Sequence, residues 1–100
     1  MILFEWDERK AATNRRKHGV NFEEAMQVFA DPFALSTQDR EVAGEARWQT
    51  VGMVADVVVL LVAHTVRDEG MDEIVRIISA RRATRKERGF YERNRQKELG

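Results

Sequence analysis

The sequence contains no cysteine, one proline and two histidines. Without cysteine there can be no disulfide and no thiolate metal site, which fits a reducing cytoplasm. Two histidines are too few for a His-rich metal centre. Net charge is also missing: 17 basic residues cancel 17 acidic ones, so overall charge gives no hint of a nucleic-acid partner. The longest apolar run, Val57 to Ala63, falls far short of the ~20 residues of a membrane span. The opening Met-Ile-Leu-Phe-Glu-Trp-Asp has no basic n-region and is read as carrying no signal peptide. There is no phosphate-loop glycine pattern, no HExxH, no Gly-x-Ser-x-Gly, no repeat and no low-complexity tract.

What remains is one domain over residues 1–100, large enough for one modest core. Hydrophobic residues make up 43% of it, as in an ordinary soluble fold, while 34% charged is high. The charge is unevenly placed. Arg81, Arg82, Arg85, Lys86, Arg88, Arg93, Arg95 and Lys97 face only Glu87 and Glu92 within the same segment. The C-terminal end is therefore basic and the remainder acidic, an electrostatically polarised chain.

Ile2, Phe4 and Trp6 alternate with Leu3 and Glu5 and predict a short strand. Asp7 is placed as an N-cap for a helix over Glu8 to Lys17, with Gly19 as its C′ glycine. Asn21 and Glu24 resemble a capping box for a second helix, whose apolar stripe is Phe22, Ala25, Met26 and Phe29. Asp31-Pro32 stops it. The short connection predicts a compact αα-hairpin. Phe33 to Thr37 is expected to be a short extended piece and Gln38 to Ala46 a polar, acidic loop. From Arg47 to Val54 the period is two, Ala55-Asp56 is a tight turn, and Val57 to Thr65 is a central strand covered on both faces. An acidic loop, Val66 to Glu73, leads to a last strand, Ile74 to Arg81. Thr84 and Glu87 form a capping box for a basic helix ending near Lys97. The order is β-α-α-β-β-β-α, an α+β domain with an antiparallel meander.

Candidate chemistry gathers at the end of the meander. His64 lies at the end of the central strand; pairing Val54 with Val57 would set Arg47 opposite it. A cation there would keep the imidazole neutral and usable as a base, although a histidine at a strand end can equally be a plain hydrogen-bonding residue. His18 suits a helix C-terminus, where positive charge is favoured. Arg76 interrupts an apolar strand on the face of Ile74, Ile78 and Ala80, and needs an open cleft or an acid such as Glu5 or Asp7. Arg81 and Arg82 point to opposite faces. Arg85 and Arg88 belong to a helix that is either a phosphate-binding surface or a solvated charge run. Tyr91 can stack on a base, act as an acid, or pack on the sheet.

Phe4-Glu5-Trp6-Asp7, Lys10, Asn14, Lys17-His18-Gly19-Val20, Phe22-Glu23-Glu24-Ala25 and Phe29-Ala30-Asp31-Pro32 resemble the opening of the BrnT toxins. Arg76-Ile77-Ile78-Ser79-Ala80-Arg81-Arg82-Ala83, with Glu87-Arg88 and Tyr91, is similar to that family's end. The likeness spans about residues 2 to 92. It implies a RelE-like toxin of a type II toxin–antitoxin pair, with ribonuclease activity that blocks translation. It also implies a BrnA-like antitoxin, a ribbon-helix-helix protein that binds operator DNA. No cofactor is implied.

A metal-independent ribonuclease can use the substrate's own 2′-OH, and then needs a base, an acid and cations for the phosphorane-like charge. On that chemistry His64 is the expected base or acid, with Arg76 and Arg81 stabilising the phosphate. Arg47, Arg67, Arg82, Arg85 and Arg88 are secondary RNA contacts, and Tyr91 is a further candidate acid. The competing reading is a non-catalytic module that binds nucleic acid or protein through the same basic edge. In a regular strand Arg76 and Arg81 sit on opposite faces. Both can serve one site only if the strand bulges or bends near Ser79-Ala80.

Overall fold

In the computed structural model, which describes residues 1–100, five strands form one sheet and three helices pack on it. The elements are β1 (Ile2–Glu5), α1 (Glu8–His18), α2 (Phe22–Met26), a 3₁₀ turn (Gln27–Ala30), β2 (Leu35–Val42), β3 (Glu45–Val54), β4 (Val58–Glu69), β5 (Asp72–Arg82) and α3 (Arg85–Leu99). The sheet order is β1-β5-β4-β3-β2. Only β1 runs parallel to its neighbour, β5; the other pairs are antiparallel. The expected α+β class is observed, and β4 is the central strand.

The helices begin where the sequence places them. Asp7 accepts from the Arg9 and Lys10 amides, and Gly19 closes α1 at φ 72°. That left-handed conformation carries no Cβ penalty in glycine. The Asn21–Glu24 and Thr84–Glu87 capping boxes are both formed. The αα-hairpin is a different matter: α1 and α2 each pack on β5 and make little contact with one another. The sheet, not the partner helix, buries their apolar stripes.

Two stretches expected to be loops are strand. Gln38 to Val42 belongs to β2, and Ala43-Gly44, both at positive φ, turn it into β3. Strand β2 is an edge, and most of its residues are exposed, so it needs no apolar alternation and shows none. Likewise Val66 to Glu73 is a β-ribbon extending β4 and β5, turned at Gly70-Met71. Its residues are paired across strands but stand beyond the core, which is why they are polar.

One register differs by a single residue, with large consequences. Ala55 and Asp56 both adopt positive φ, and Val54 pairs with Val58 rather than Val57. A one-residue slip moves every side chain to the other face. Trp48, not Arg47, is therefore opposite His64.

The main core lies between the sheet and α1/α2, built on Phe22, Val28, Leu60, Val62, Val75 and Ile77. At Gly52 an added Cβ would stand 2.8 Å from Val28 Cγ1, so only glycine lets the 3₁₀ turn approach β3. A smaller cluster on the opposite face joins Val51, Val59 and Tyr91 beneath α3. Helix α3 covers only part of that face.

Candidate nucleic-acid interface

The strand registers resolve the sheet into cross-strand rows. On the face packed by α1 and α2, one row is Ser36–Thr50–Val62–Ala80 and the next is Gln38–Trp48–His64–Ile77. On the opposite face the rows are Leu35–Val51–Leu61–Arg81, then Thr37–Gln49–Ala63–Ser79, then Thr65–Arg76–Glu5. The first of these rows lies under α3. Beyond it the face is open and carries arginines.

The bulge that the arginine geometry requires is present. Ala63 pairs with Ser79 but His64 pairs with Ile77, so Ile78 is an extra residue in β5. This inserted residue resets the alternation. Arg76 and Arg81 now pair with Thr65 and Leu61, which share a face of β4. Ala80 moves to the core face, correcting its expected alignment with Arg76. The bulge lies just before the Ser79-Ala80 position expected from the sequence.

Sharing a face does not make the two arginines equivalent. Arg81 is committed to the Glu87 carboxylate through two hydrogen bonds of 2.8 and 3.0 Å. The same interaction, helped by the Thr84 amide, pulls the Glu87 carboxyl down to about 2 against the effect of burial, and raises Arg81. Arg76 is exposed and makes no ion pair within 4.0 Å. Its row partner Glu5 is held instead by Arg67, through hydrogen bonds of 3.0 and 2.9 Å. That contact, with the added charge of Arg76, keeps the Glu5 carboxyl below its ordinary value despite partial desolvation. Arg67 also binds Glu69 at 2.8 Å. Arg67 is thus the centre of an acidic clasp on the ribbon, raised in pKa by both partners.

His64 is on the other face from Arg76 and only 2% exposed. Its Nε2 is 2.7 Å from Thr50 Oγ1, which is 2.7 Å from Ser36 Oγ. Phe29 meets the ring edge-on at 4.9 Å between centroids. Burial pushes the imidazole pKa down, and the Thr65 carbonyl opposes this only weakly at 3.4 Å. Neutrality is therefore obtained from desolvation, not from Arg47 as the sequence reading expected. Through Thr50 the ring is linked to the exposed Ser36.

Arg47 lies on the open face, directly paired with Arg40 of β2, and its Nε is buried without a hydrogen-bond partner. Two arginines side by side with no acid between them form a site of concentrated positive charge. Arg82 is exposed at the end of β5 on the core side of the sheet, away from Arg81. Arg85 and Arg88 project into solvent from α3 without ion pairs. Tyr91 is 1% exposed and donates to Asp31 Oδ2 at 2.5 Å, so it packs over the sheet. Burial and the adjacent carboxylate push its hydroxyl pKa up. Thus Arg76 and Arg47 share the open face, while His64 and Tyr91 are enclosed.

Three groups were not read from sequence. Asp31, read as a helix stop and as part of the family likeness but given no partners, accepts from Phe33 N, Met53 N and Tyr91. Burial would raise its carboxyl, but these three donors outweigh it and hold it low. Asn14 is buried in α1, donating to the Val20 and Ala80 carbonyls and accepting from the Ala80 amide. Its place in the family likeness, and a poor helix former in mid-helix, marked the position but not these partners. The third is a cleft beneath α3, lined by Gln49, Lys86, Phe90 and Arg93. Lys86, Phe90 and Arg93 share one side of α3 by their spacing, but the strand residues they meet across the cleft leave no spacing to recognise.

Comparison with known proteins then supplies the chemical context. Residues 6–87 match the family model described as "Ribonuclease toxin, BrnT, of type II toxin-antitoxin system". Among solved structures, the crystal structure of the Brucella abortus ribonuclease toxin BrnT is similar, with a TM-score of 0.58 and 24% identity. The alignment covers 85% of this chain and 99% of that one. At that identity the likeness establishes a shared fold. No curated protein matches the chain. Spanning most of the sequence, from Trp6 to Glu87, the family match shows that this chain belongs to the BrnT ribonuclease toxins of type II toxin–antitoxin systems.

Proposed function

We propose that this chain is a metal-independent endoribonuclease that inhibits translation in the cytoplasm and binds RNA on the open sheet face. A BrnA-like ribbon-helix-helix antitoxin neutralises it, and the pair binds operator DNA. The observation that carries the reading is the β5 bulge, which brings Arg76 onto the face that holds Arg47 and Arg40. Guanidinium groups match phosphate oxygens and retain their charge at any physiological pH. Three acids near these arginines are already neutralised, which favours phosphate over a metal ion as the ligand: Glu5 and Glu69 are held by Arg67, and Glu87 by Arg81. In this reading Arg76 and Arg47 stabilise the charge that grows on the scissile phosphate, while the 2′-OH gives its proton to water and the leaving 5′-oxygen takes one from water. His64, expected as base or acid, lies on the other face, and its bonds through Thr50 to Ser36 link β4, β3 and β2.

The burial of His64 and Tyr91, the two expected proton-transfer groups, favours a second reading: a toxin homologue that binds RNA or its antitoxin without cleaving. Incubating purified protein with messenger RNA, with and without EDTA and ribosomes, separates the two. Cleavage that survives EDTA and is lost in Arg76→Ala supports the enzyme. RNA left intact under every condition supports the binding module, and cleavage abolished by EDTA would overturn metal independence.

A further inference from the structure

Helix α3 does not lie flush on the sheet. Between it and the outer parts of β2, β3 and β4 is a cleft of about 410 Å³, inside the range of about 300–1,000 Å³ usual for small-ligand sites. Its floor is Leu35, Val51 and Leu61, and its polar edge is Thr37 and Gln49. The helical wall is Lys86, Phe90 and Arg93, spaced to share one side of α3. We propose that this cleft is a subsite for one unpaired nucleotide of RNA, an inference that rests on the ribonuclease reading above.

Four observations carry it. Phe90 is 50% exposed, leaving an aromatic ring free for a base to stack on. Gln49 adds an amide with both donor and acceptor atoms, suited to a base edge. Neither Lys86 nor Arg93 makes an ion pair, and the one acid in the wall, Glu87, is neutralised by Arg81. The cleft is therefore cationic where a phosphate would lie. Finally, Gly89 sits in mid-helix, where glycine costs about 1 kcal/mol relative to alanine. A Cβ there would stand 3.3 Å from Arg93 Nη1, so the missing side chain gives the guanidinium room against the helix.

The subsite is continuous with the arginine face, because Gln49 and Arg47 are alternate residues of β3, and a register shift in β2 between Gln38 and Arg40 leaves Thr37 and Arg40 paired with them. Stacking on one ring in a cleft of this size selects an unpaired base over a duplex. The nucleotide beside the scissile phosphate would thereby be anchored under α3.

The test is an NMR titration of isotope-labelled protein with the four nucleoside 3′-monophosphates and, separately, inorganic phosphate. Nucleotides should shift the amides of Thr37, Gln49 and Phe90, and Phe90→Ala should weaken binding about tenfold or more with the spectrum still dispersed. Gln49→Ala should change the preference among the four bases. Shifts at Lys86 and Arg93 that phosphate alone reproduces would overturn the subsite in favour of a plain anion patch. So would shifts confined to an added antitoxin, which would make the cleft a protein-docking groove. An RNA-cleaving protein with an unresponsive cleft sinks this inference and leaves the function standing. Nucleotide binding in the cleft without any cleavage does the reverse.

Discussion

The two faces of the sheet use polar groups in opposite ways. On the side of α1 and α2, every buried polar side chain is bonded to a neighbour: Asn14 to the Ala80 backbone, and Thr50 to both Ser36 and His64. There polarity serves register and orientation, since an unpaired buried group would cost more than it contributes. On the other side, α3 covers the Val51–Leu61 and Met53–Val59 rows, and beyond them stand Arg40, Arg47 and Arg76 without ion pairs and Arg67 held by Glu5 and Glu69. Charge without a partner is tolerated at a surface and is available to a ligand. The contrast sorts polar groups by their partners rather than by residue type: His64 lies on the first side, Arg76 on the second.

That separation can be attacked directly. The largest effect should come from Arg76→Ala, which is expected to lower RNA cleavage by about 10²–10³ while leaving the melting temperature unchanged. A comparable fall in stability would place Arg76 among the structural residues. Next, Asn14→Ala should destabilise the fold by about 2–3 kcal/mol in denaturant melts, because it strands both backbone groups of Ala80 in a buried place. A loss below a few tenths of a kcal/mol would show that water replaces the side chain.

His64 gives a pH signature. Its folded pKa lies below the unfolded value of 6.5, so the unfolded chain binds the extra proton more readily. Stability should be full above about pH 6.5 and decline as pH falls below it, by at most about 1.4 kcal/mol per pH unit. His64→Gln should remove that segment of the pH profile; a profile unaffected by the substitution would mean the ring titrates normally. Smaller still is the effect of Glu87→Gln. The lowered Glu87 pKa contributes stability above about pH 4.5, and this is lost as pH falls through about 2. After solvent screening the substitution should cost about 1 kcal/mol at pH 7 and almost nothing at pH 2.

Much of this architecture could be read from local chemistry. Asp7, Asn21 and Thr84 began helices where short polar side chains could accept from free amides, and Gly19 ended one where φ had to be positive. The apolar run of β4 announced a central strand. By contrast β2 could not be seen, because an edge strand with most residues in solvent carries no burial pattern. The ribbon of β4 and β5 beyond the core was hidden for the same reason. The site was read in part: the need for a bulge near Ser79-Ala80 followed from the alternation of Arg76 and Arg81. Which arginine stayed free did not follow, since the Glu87 that captures Arg81 lies in another element.

By itself, then, the sequence determined the helix ends, the central strand and the polarised charge, all set by neighbours within a few residues. Tertiary structure decided the rest. The Ala55-Asp56 turn set the register one residue away from the simplest pairing, and that turned Arg47 from His64 to the open face. The extra residue at Ile78 brought Arg76 round to join it. Alternation has a period of two, so each single-residue shift exchanges core for surface, and nothing local in the sequence records which shift the packed helices will select.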